Sequence, residues 1–351
     1  MKEKINNHKK LFITICIIVL VLIICVIGAI FAINKISAPV DRNNTDFINV
    51  TIENGSGTGQ IGETLEDAGL IKSVNGFKII SRLKGYDGQY KAGIYSLSKS
   101  MSMNEIAEII ISGDVKTNMF TIPEGFTINQ TAEKLSEEKL INKEKFLSLI
   151  KKGNFDYKFL EKTQKGKNHL EGYLFPSTYQ IPIGATEKEI IETMLNQFNL
   201  IFKKDYYEQA KKLGLSINDV IVVASIIERE CRVDSERPKI ASVIYNRIKQ
   251  NMPLQMCSTV QYVLGKQKET LSYSDTEIDS PYNTYKTTGL PPGPICSPGE
   301  ASIKASLYPD NTDYIYFVVS EKLDGSHNFS SEYKKFLKDK DAYYKALEAN
   351  N

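Results

Sequence analysis

The chain has 351 residues, 42% of them hydrophobic and 25% charged, with a formal net charge of +2. That length predicts two or three domains and the composition is globular. A balance so near neutrality, with no domain-wide basic stripe, gives no reason to expect a nucleic-acid partner. The N-terminal 40 residues stand apart. Leu11–Ile33 holds no charged residue over 23 positions, about 34 Å of helix, enough to cross a hydrocarbon core. Lys2, Lys4, Lys9 and Lys10 precede it and only Lys35 follows closely. The positive-inside bias therefore predicts a single-pass anchor in the cell membrane, with a cytoplasmic N-terminus and everything after residue 34 extracytoplasmic. A cleaved signal peptide is the rival reading, but its apolar region would be shorter. A lipoprotein is disfavoured by Ile24 before Cys25, where a small residue is expected.

Residues 34–46 read as a polar linker. Next comes an internal repeat: "TIENGSGTGQIGETLEDAGLIK" (51–72) and "TIPEGFTINQTAEKLSEEKLIN" (121–142) match at eight of 22 ungapped positions, offset by 70. Each copy predicts a strand, a Gly turn and an amphipathic helix, with Ile61, Leu65 and Ala68, or Ala132 and Leu135, facing inward. After the first copy, "VNGFKIISRLKG" predicts a helix, "KAGIYSLS" a strand and "SMNEIAEIIISG" a capped helix ending at Gly113. This strand–helix–helix–strand order, over residues 47–117, resembles a LysM-like module, a small fold that often binds glycan chains. A plain spacer is the alternative.

Residues 118–347 read as the second large domain, so the overall expectation is an α+β fold. Helices are predicted at Asn142–Lys151, Glu187–Phe202, Ser216–Arg232 (Ser216 as N-cap, Asp219 at the third helical position) and Arg237–Gln250, with Pro238 near its start. "YIYFVVS" (314–320) predicts a buried strand. Residues 279–299 hold five prolines and three glycines; a loop of that length tends to be ordered and functional.

Two glutamates end the apolar run "VIVVASIIERE" (220–230). Glu228 shares a helix face with Ser225, Ala224 and Ile221, two of them small, which leaves room beside its carboxylate. Glu230 has the bulkier Ile227, Ile226 and Val223 and points about 200° away. A carboxylate leaving an apolar helix is partly desolvated, which favours its protonated form and suits a general acid. The plain alternative is an exposed i,i+4 pair of Glu228 with Arg232. The three histidines (His8, His169, His327) are scattered, so no metal site and no cofactor are expected. Cys16 and Cys25 read as apolar filler of the span. Cys231, Cys257 and Cys296 lack CxxC spacing and leave at most one disulfide, for instance Cys257–Cys296.

"ASIIERE", "RPKIASVIYNRIKQNMPLQ", "STVQY" and "SPYNTYKTTGLPPGPICSPGEASIKASLYP", with "LEGYLFPSTYQIP" and "TIPEGFT" upstream, resemble the YceG-like family of endolytic murein transglycosylases. The resemblance implies non-hydrolytic cleavage of the MurNAc-β-1,4-GlcNAc bond within peptidoglycan strands, leaving 1,6-anhydro ends. It assigns catalysis to Glu228 rather than Glu230. One glutamic acid protonates the leaving oxygen, and its carboxylate then assists attack by the sugar's own C6 hydroxyl. Gln255, Asn283, Thr284 and Tyr285 become candidates for sugar contacts, and Glu171 for a supporting or sugar-binding carboxylate. Where the family often has aspartate, this chain has Cys257 and Ser177. Peptidoglycan strands, the membrane and peptidoglycan synthases are the implied partners. A two-carboxylate hydrolase using Glu228 and Glu171, and a non-enzymatic peptidoglycan-binding scaffold, stay open as alternatives.

Overall fold

The computed structural model describes residues 2–350 apart from 162, 164–168 and 269, with side chains from residue 17 onward except residue 29. It forms two compact units, residues 1–118 with 180–184, and residues 119–179 with 185–351.

The first unit opens with helix α1 (Lys2–Ser37). Within it, Ile17–Ser37 is long and apolar enough to cross a membrane, and Ile17–Ile24 present their large side chains outward. The side chains of the lysines at 2, 4, 9 and 10, and of Cys16, fall outside the described set. Strand β1 (Phe47–Ile52), helices α2 (Thr58–Asp67) and α3 (Val74–Lys84), strand β2 (Gly93–Ser98) and helix α4 (Met103–Ser112) follow in the expected order. β1 and β2 pair antiparallel, from Phe47 opposite Ser98 to Ile52 opposite Gly93. Alternate residues Val50, Ile52, Tyr95 and Leu97 are buried with Ile61, Leu65, Phe77 and Ile106, as a half-buried ribbon requires. α4 starts with a capping box between Ser102 and Glu105 and stops at Gly113, whose φ of 75° only glycine adopts freely.

The repeat is structural as well as sequential. Strand β3 (Thr117–Thr121), helices α5 (Ile128–Glu137) and α6 (Lys143–Lys152), strand β4 (Thr178–Pro182) and helix α7 (Glu187–Ile201) repeat the strand–helix–helix–strand–helix order, and β3 pairs with β4. Equivalent residues make equivalent bonds. Gly57 N donates to Gln60 Oε1 as Thr127 N does to Gln130 Oε1. Leu70 N reaches Leu65 O and Leu140 N reaches Leu135 O, both at 2.9 Å. Gly55 and Gly125 both turn with positive φ.

The second unit continues with α8 (Lys204–Lys212), α9 (Ile217–Glu230), α10 (Arg237–Lys249), α11 (Cys257–Leu264), α12 (Tyr273–Thr276), α13 (Glu300–Leu307), β5 (Tyr316–Val319), β6 (His327–Ser330) and α14 (Tyr333–Asn350). α9 is central: every residue from Val220 to Ile227 is buried, against α8, α10, α11 and α13. Its N-cap is the expected box, with Asp219 N on Ser216 Oγ at 3.1 Å and Ser216 N on Asp219 Oδ2 at 2.9 Å. The predicted strand at 314–320 is shorter and only half buried. It pairs with β6 alone, in a two-stranded ribbon that α14 covers.

The 279–299 loop is ordered by contacts with α9. Ser225 Oγ accepts the Ile295 N–H at 3.1 Å and donates to Val222 O, and Cys296 Sγ donates to Ser225 O. Gly172 makes the close approach possible: it has φ +86°, and a Cβ would stand 2.6 Å from Pro294 and 2.8 Å from Ile221. Ser225→Ala leaves the buried Ile295 N–H unpaired and is expected to cost about 1–3 kcal/mol. Denaturant unfolding of the detergent-solubilised protein measures this; a loss under about 0.5 kcal/mol would mean the bond does not anchor the loop.

Candidate functional site

Glu228 lies on the last turn of α9, and its side chain is only 7% exposed. The space expected beside its small neighbours is taken by the loop that Ser225 binds. That loop delivers the Gly299 N–H to Glu228 Oε2 at 3.0 Å. The same oxygen meets Arg237 at 3.4 Å. The i,i+4 pair with Arg232 does not form. α9 ends at Glu230 and Cys231 turns extended (φ −99°, ψ 130°), so Arg232 is off the helix. Arg237 is held in turn by Ser302 Oγ at 2.5 Å and Asp234 Oδ1 at 3.1 Å. Glu228 is thus enclosed by a cation and a backbone donor, not by apolar side chains alone. Both are fixed by the fold before any ligand binds, a charge and a dipole aimed at one carboxyl oxygen.

Glu230 points elsewhere, as its helical angle requires. Its Oε1 accepts the Ser258 N–H at 3.1 Å in the first turn of α11, a favourable place for a negative charge.

A residue that sequence reasoning passed over stands next to Glu228. Glu124 lies in the second repeat copy, in the turn before Gly125. Gly125 N donates to Ser297 O and Ser297 N donates to Phe126 O, so this turn is laced to the loop carrying Gly299. A Cβ on Gly299 would overlap both carboxyl oxygens of Glu124. Burial of the carboxyl end, then the charge of Glu228, push the Glu124 proton affinity up, with Arg237 opposing. The repeat marked this turn as a fixed point; its bonds to Ser297, far away in sequence, left no local signal.

Glu171 is fully buried. Its Oε1 accepts the Ile128 N–H at 3.0 Å and its Oε2 the Tyr262 hydroxyl at 3.2 Å. Burial pushes its pKa up to about 8, with those two hydrogen bonds opposing. Tyr262 packs on Tyr282 with ring centroids 5.1 Å apart. Both line a cavity of about 430 Å³ with Thr127, Arg229, Ser258 and Gln261, within the size range of small-molecule sites. Arg229, one of its walls, directly follows Glu228 and reaches Gly125 O. A cavity of about 320 Å³ lies at the other end of α9, around Ser216–Asn218, about 15 Å from Glu228 along the helix.

The remaining predicted residues belong to the 279–299 loop and the turn it meets. Asn283 is fully buried: its Nδ2 donates to Thr276 O and Ile278 O, and its Oδ1 accepts the Tyr285 N–H. Thr284, also buried, has Oγ1 on Met256 N and Thr259 Oγ1. Neither side chain reaches the surface. Gln255 is exposed, with φ +55°, and its Oε1 accepts from Arg247 at 3.2 Å. Arg247 also binds the carbonyls of Pro253 and Leu254 and stacks on Tyr316. The Tyr285 hydroxyl meets Cys257 Sγ at 3.0 Å. Cys257 is exposed, Cys296 buried, and both are free thiols. Among the described residues no cluster could hold a metal ion.

The YceG-like family model matches residues 50–342, and the chain belongs to that family. It is 38% identical over 331 residues to the endolytic murein transglycosylase of Bacillus subtilis (strain 168), covering 91% of each chain. It is 33% identical over 308 residues to the endolytic murein transglycosylase of Streptococcus pneumoniae serotype 2 (strain D39), covering 80% of this chain and 56% of that longer relative. Among solved structures, a YceG-like protein from Listeria monocytogenes is similar, with a TM-score of 0.56 and 32% identity over 84% of this chain and 99% of that one.

The burial of Glu171 has a measurable consequence. Its acid stays protonated in the fold up to about 8, whereas the unfolded chain ionises near 4.5. Its contribution is therefore intact below the unfolded value and is lost as pH rises toward 8. Glu171→Gln is expected to flatten the decline of stability between pH 5 and 8, by roughly 2–4 kcal/mol at the alkaline end. Unfolding free energies across that range test it; parallel curves for the two proteins would contradict it.

Proposed function

We propose that this protein is a peptidoglycan lytic transglycosylase, tethered to the membrane by α1 and acting within nascent glycan strands close to the bilayer. The observation that carries the reading is Glu228. It is a sheltered carboxyl group held by the Gly299 N–H and Arg237, and the next residue on α9, Arg229, lines a cavity. The names of the relatives supply the substrate class.

Glu228 acts first as acid, giving its proton to the leaving oxygen as the bond to the anomeric carbon breaks. The C6 hydroxyl oxygen of the muramyl residue then bonds to that carbon, and its proton returns to Glu228. No water enters, and the new end is a 1,6-anhydro ring. Arg237 and the Gly299 N–H stabilise the carboxylate between the two transfers.

Glu171 supports this reading over a two-carboxylate hydrolase. Its oxygens are engaged by Ile128 and Tyr262 in a fully buried position, so it is not free to attack an anomeric carbon. It serves instead to fix Tyr262 in the cavity wall. Asn283 and Thr284 act as framework for the turn that presents Gln255 and Tyr285 to a glycan strand. Residues 47–117, which follow the anchor in the chain, serve as a LysM-like spacer, and strand cleavage close to the membrane ends elongation. The orientation with residues after 34 outside follows from the N-terminal lysines.

Glu228→Gln is expected to lower cleavage of uncrosslinked strands on the order of a hundredfold to ten-thousandfold with the fold intact. Glu230→Gln, which weakens one bond at α11, is expected to act mainly on stability. Mass spectrometry of the products reads the outcome: ends one water lighter than reducing ends are expected. Unchanged cleavage in Glu228→Gln, or equal losses in both variants, would contradict the assignment.

A further inference from the structure

Gly299 touches two carboxyl groups at once. Its N–H binds Glu228 Oε2 at 3.0 Å, and its bare Cα lies where any side chain would displace the Glu124 carboxyl. The Glu228 side chain is sheltered, whereas Glu124 is an exposed residue, so Glu124 lies on the solvent side of the pair. The surrounding charges come from three elements. Arg229 lies on α9 and reaches the carbonyl of Gly125. Asp234 and Arg237 come from the segment leading into α10, and the Cys296 thiol, behind Glu228, lies within reach of its charge. Glu300, next to Gly299, is turned to the Tyr206 hydroxyl. Among the described residues Arg237 is the cation paired with Glu228, and one cation does not offset two carboxylates.

We propose that Glu124 and Glu228 hold one proton between them across Gly299, with Glu124 the positioning residue that keeps this proton at the reaction centre. Two carboxylates that flank one glycine resist ionising together; burial first, and then the charge of Glu228, raises the Glu124 proton affinity. The chemistry balances without a second acid. The shared proton leaves through Glu228 to the departing oxygen as the C1–O bond breaks, taking its electron pair. The C6 hydroxyl then forms the new C1–O bond, and its proton restores the pair. This inference rests on the reading of Glu228 above.

The test is the pH profile of kcat/KM for the full-length protein in detergent, with uncrosslinked glycan strands as substrate. In wild type, losing the last proton creates two adjacent carboxylates. In Glu124→Gln it creates one, beside Arg237. The alkaline limb of Glu124→Gln is therefore expected to move down by roughly 1 pH unit, a loss on the order of tenfold at alkaline pH and little at acid pH. Glu124→Asp is expected to recover part of the shift. Gly299→Ala, which displaces the Glu124 carboxyl, is expected to move the limb the same way. A uniform loss at every pH, or an unmoved profile, in a Glu124→Gln protein that melts like wild type would overturn the proposal and leave Glu124 as loop framework. Activity surviving in Glu228→Gln would instead overturn the reading beneath it, so the two failures are told apart.

Discussion

The hydrogen bond from Gly299 N–H to Glu228 Oε2 ties the proposed acid of this protein to its packing. It exists because a proline-rich loop is drawn down onto α9. Ser225 provides the notch, taking Ile295 N and the Cys296 thiol, and Gly172 leaves the space that Pro294 enters. Two backbone bonds with Gly125 and Phe126 then close the loop against the second repeat copy. Each contact uses a small or side-chain-free residue at a close approach. Together they place a backbone donor at a buried carboxyl group, the preorganisation that the proposed catalysis would use.

The repeat places one side of this arrangement within a turn that the chain uses twice. Both copies fold to the same strand, turn and helix pair, with the same Gln capping bond and the same positive-φ glycine. At the position before that glycine the first copy has Asn54 and the second Glu124. The turn is thus a rigid presenter of one side chain. In the second copy that side chain is acidic and meets Gly299.

What was legible in the sequence followed the range of the interaction. α9 and its Ser216–Asp219 cap, α4 ending at Gly113, and the repeat depend on residues three to five apart, so pattern reading reached them. The separation of Glu228 and Glu230 by about 200° is also local geometry, and the two side chains do go to different neighbours. The partner of Glu228 was not legible. Arg232 sits at the right spacing, but Cys231 leaves the helix and the cation is Arg237. The pairing of Glu124 with Gly299, and the sealing of Asn283 and Thr284 inside their loop, depend on contacts that no local pattern records. The half-burial of Tyr316–Val319 was missed for a related reason. Aromatic and β-branched content marks a strand, but not whether a sheet or a single ribbon receives it.

In the proposed reading the apolar helix and the buried acid serve one end: an enzyme held near its strands that excludes water as nucleophile. The most direct measurement is digestion of uncrosslinked glycan strands by the full-length protein in water enriched in heavy oxygen, with mass spectrometry of the new ends. The account predicts no heavy oxygen in them, because the sugar's own C6 hydroxyl closes the ring. Heavy oxygen at the new anomeric carbon would make the protein a hydrolase and contradict the account at its centre.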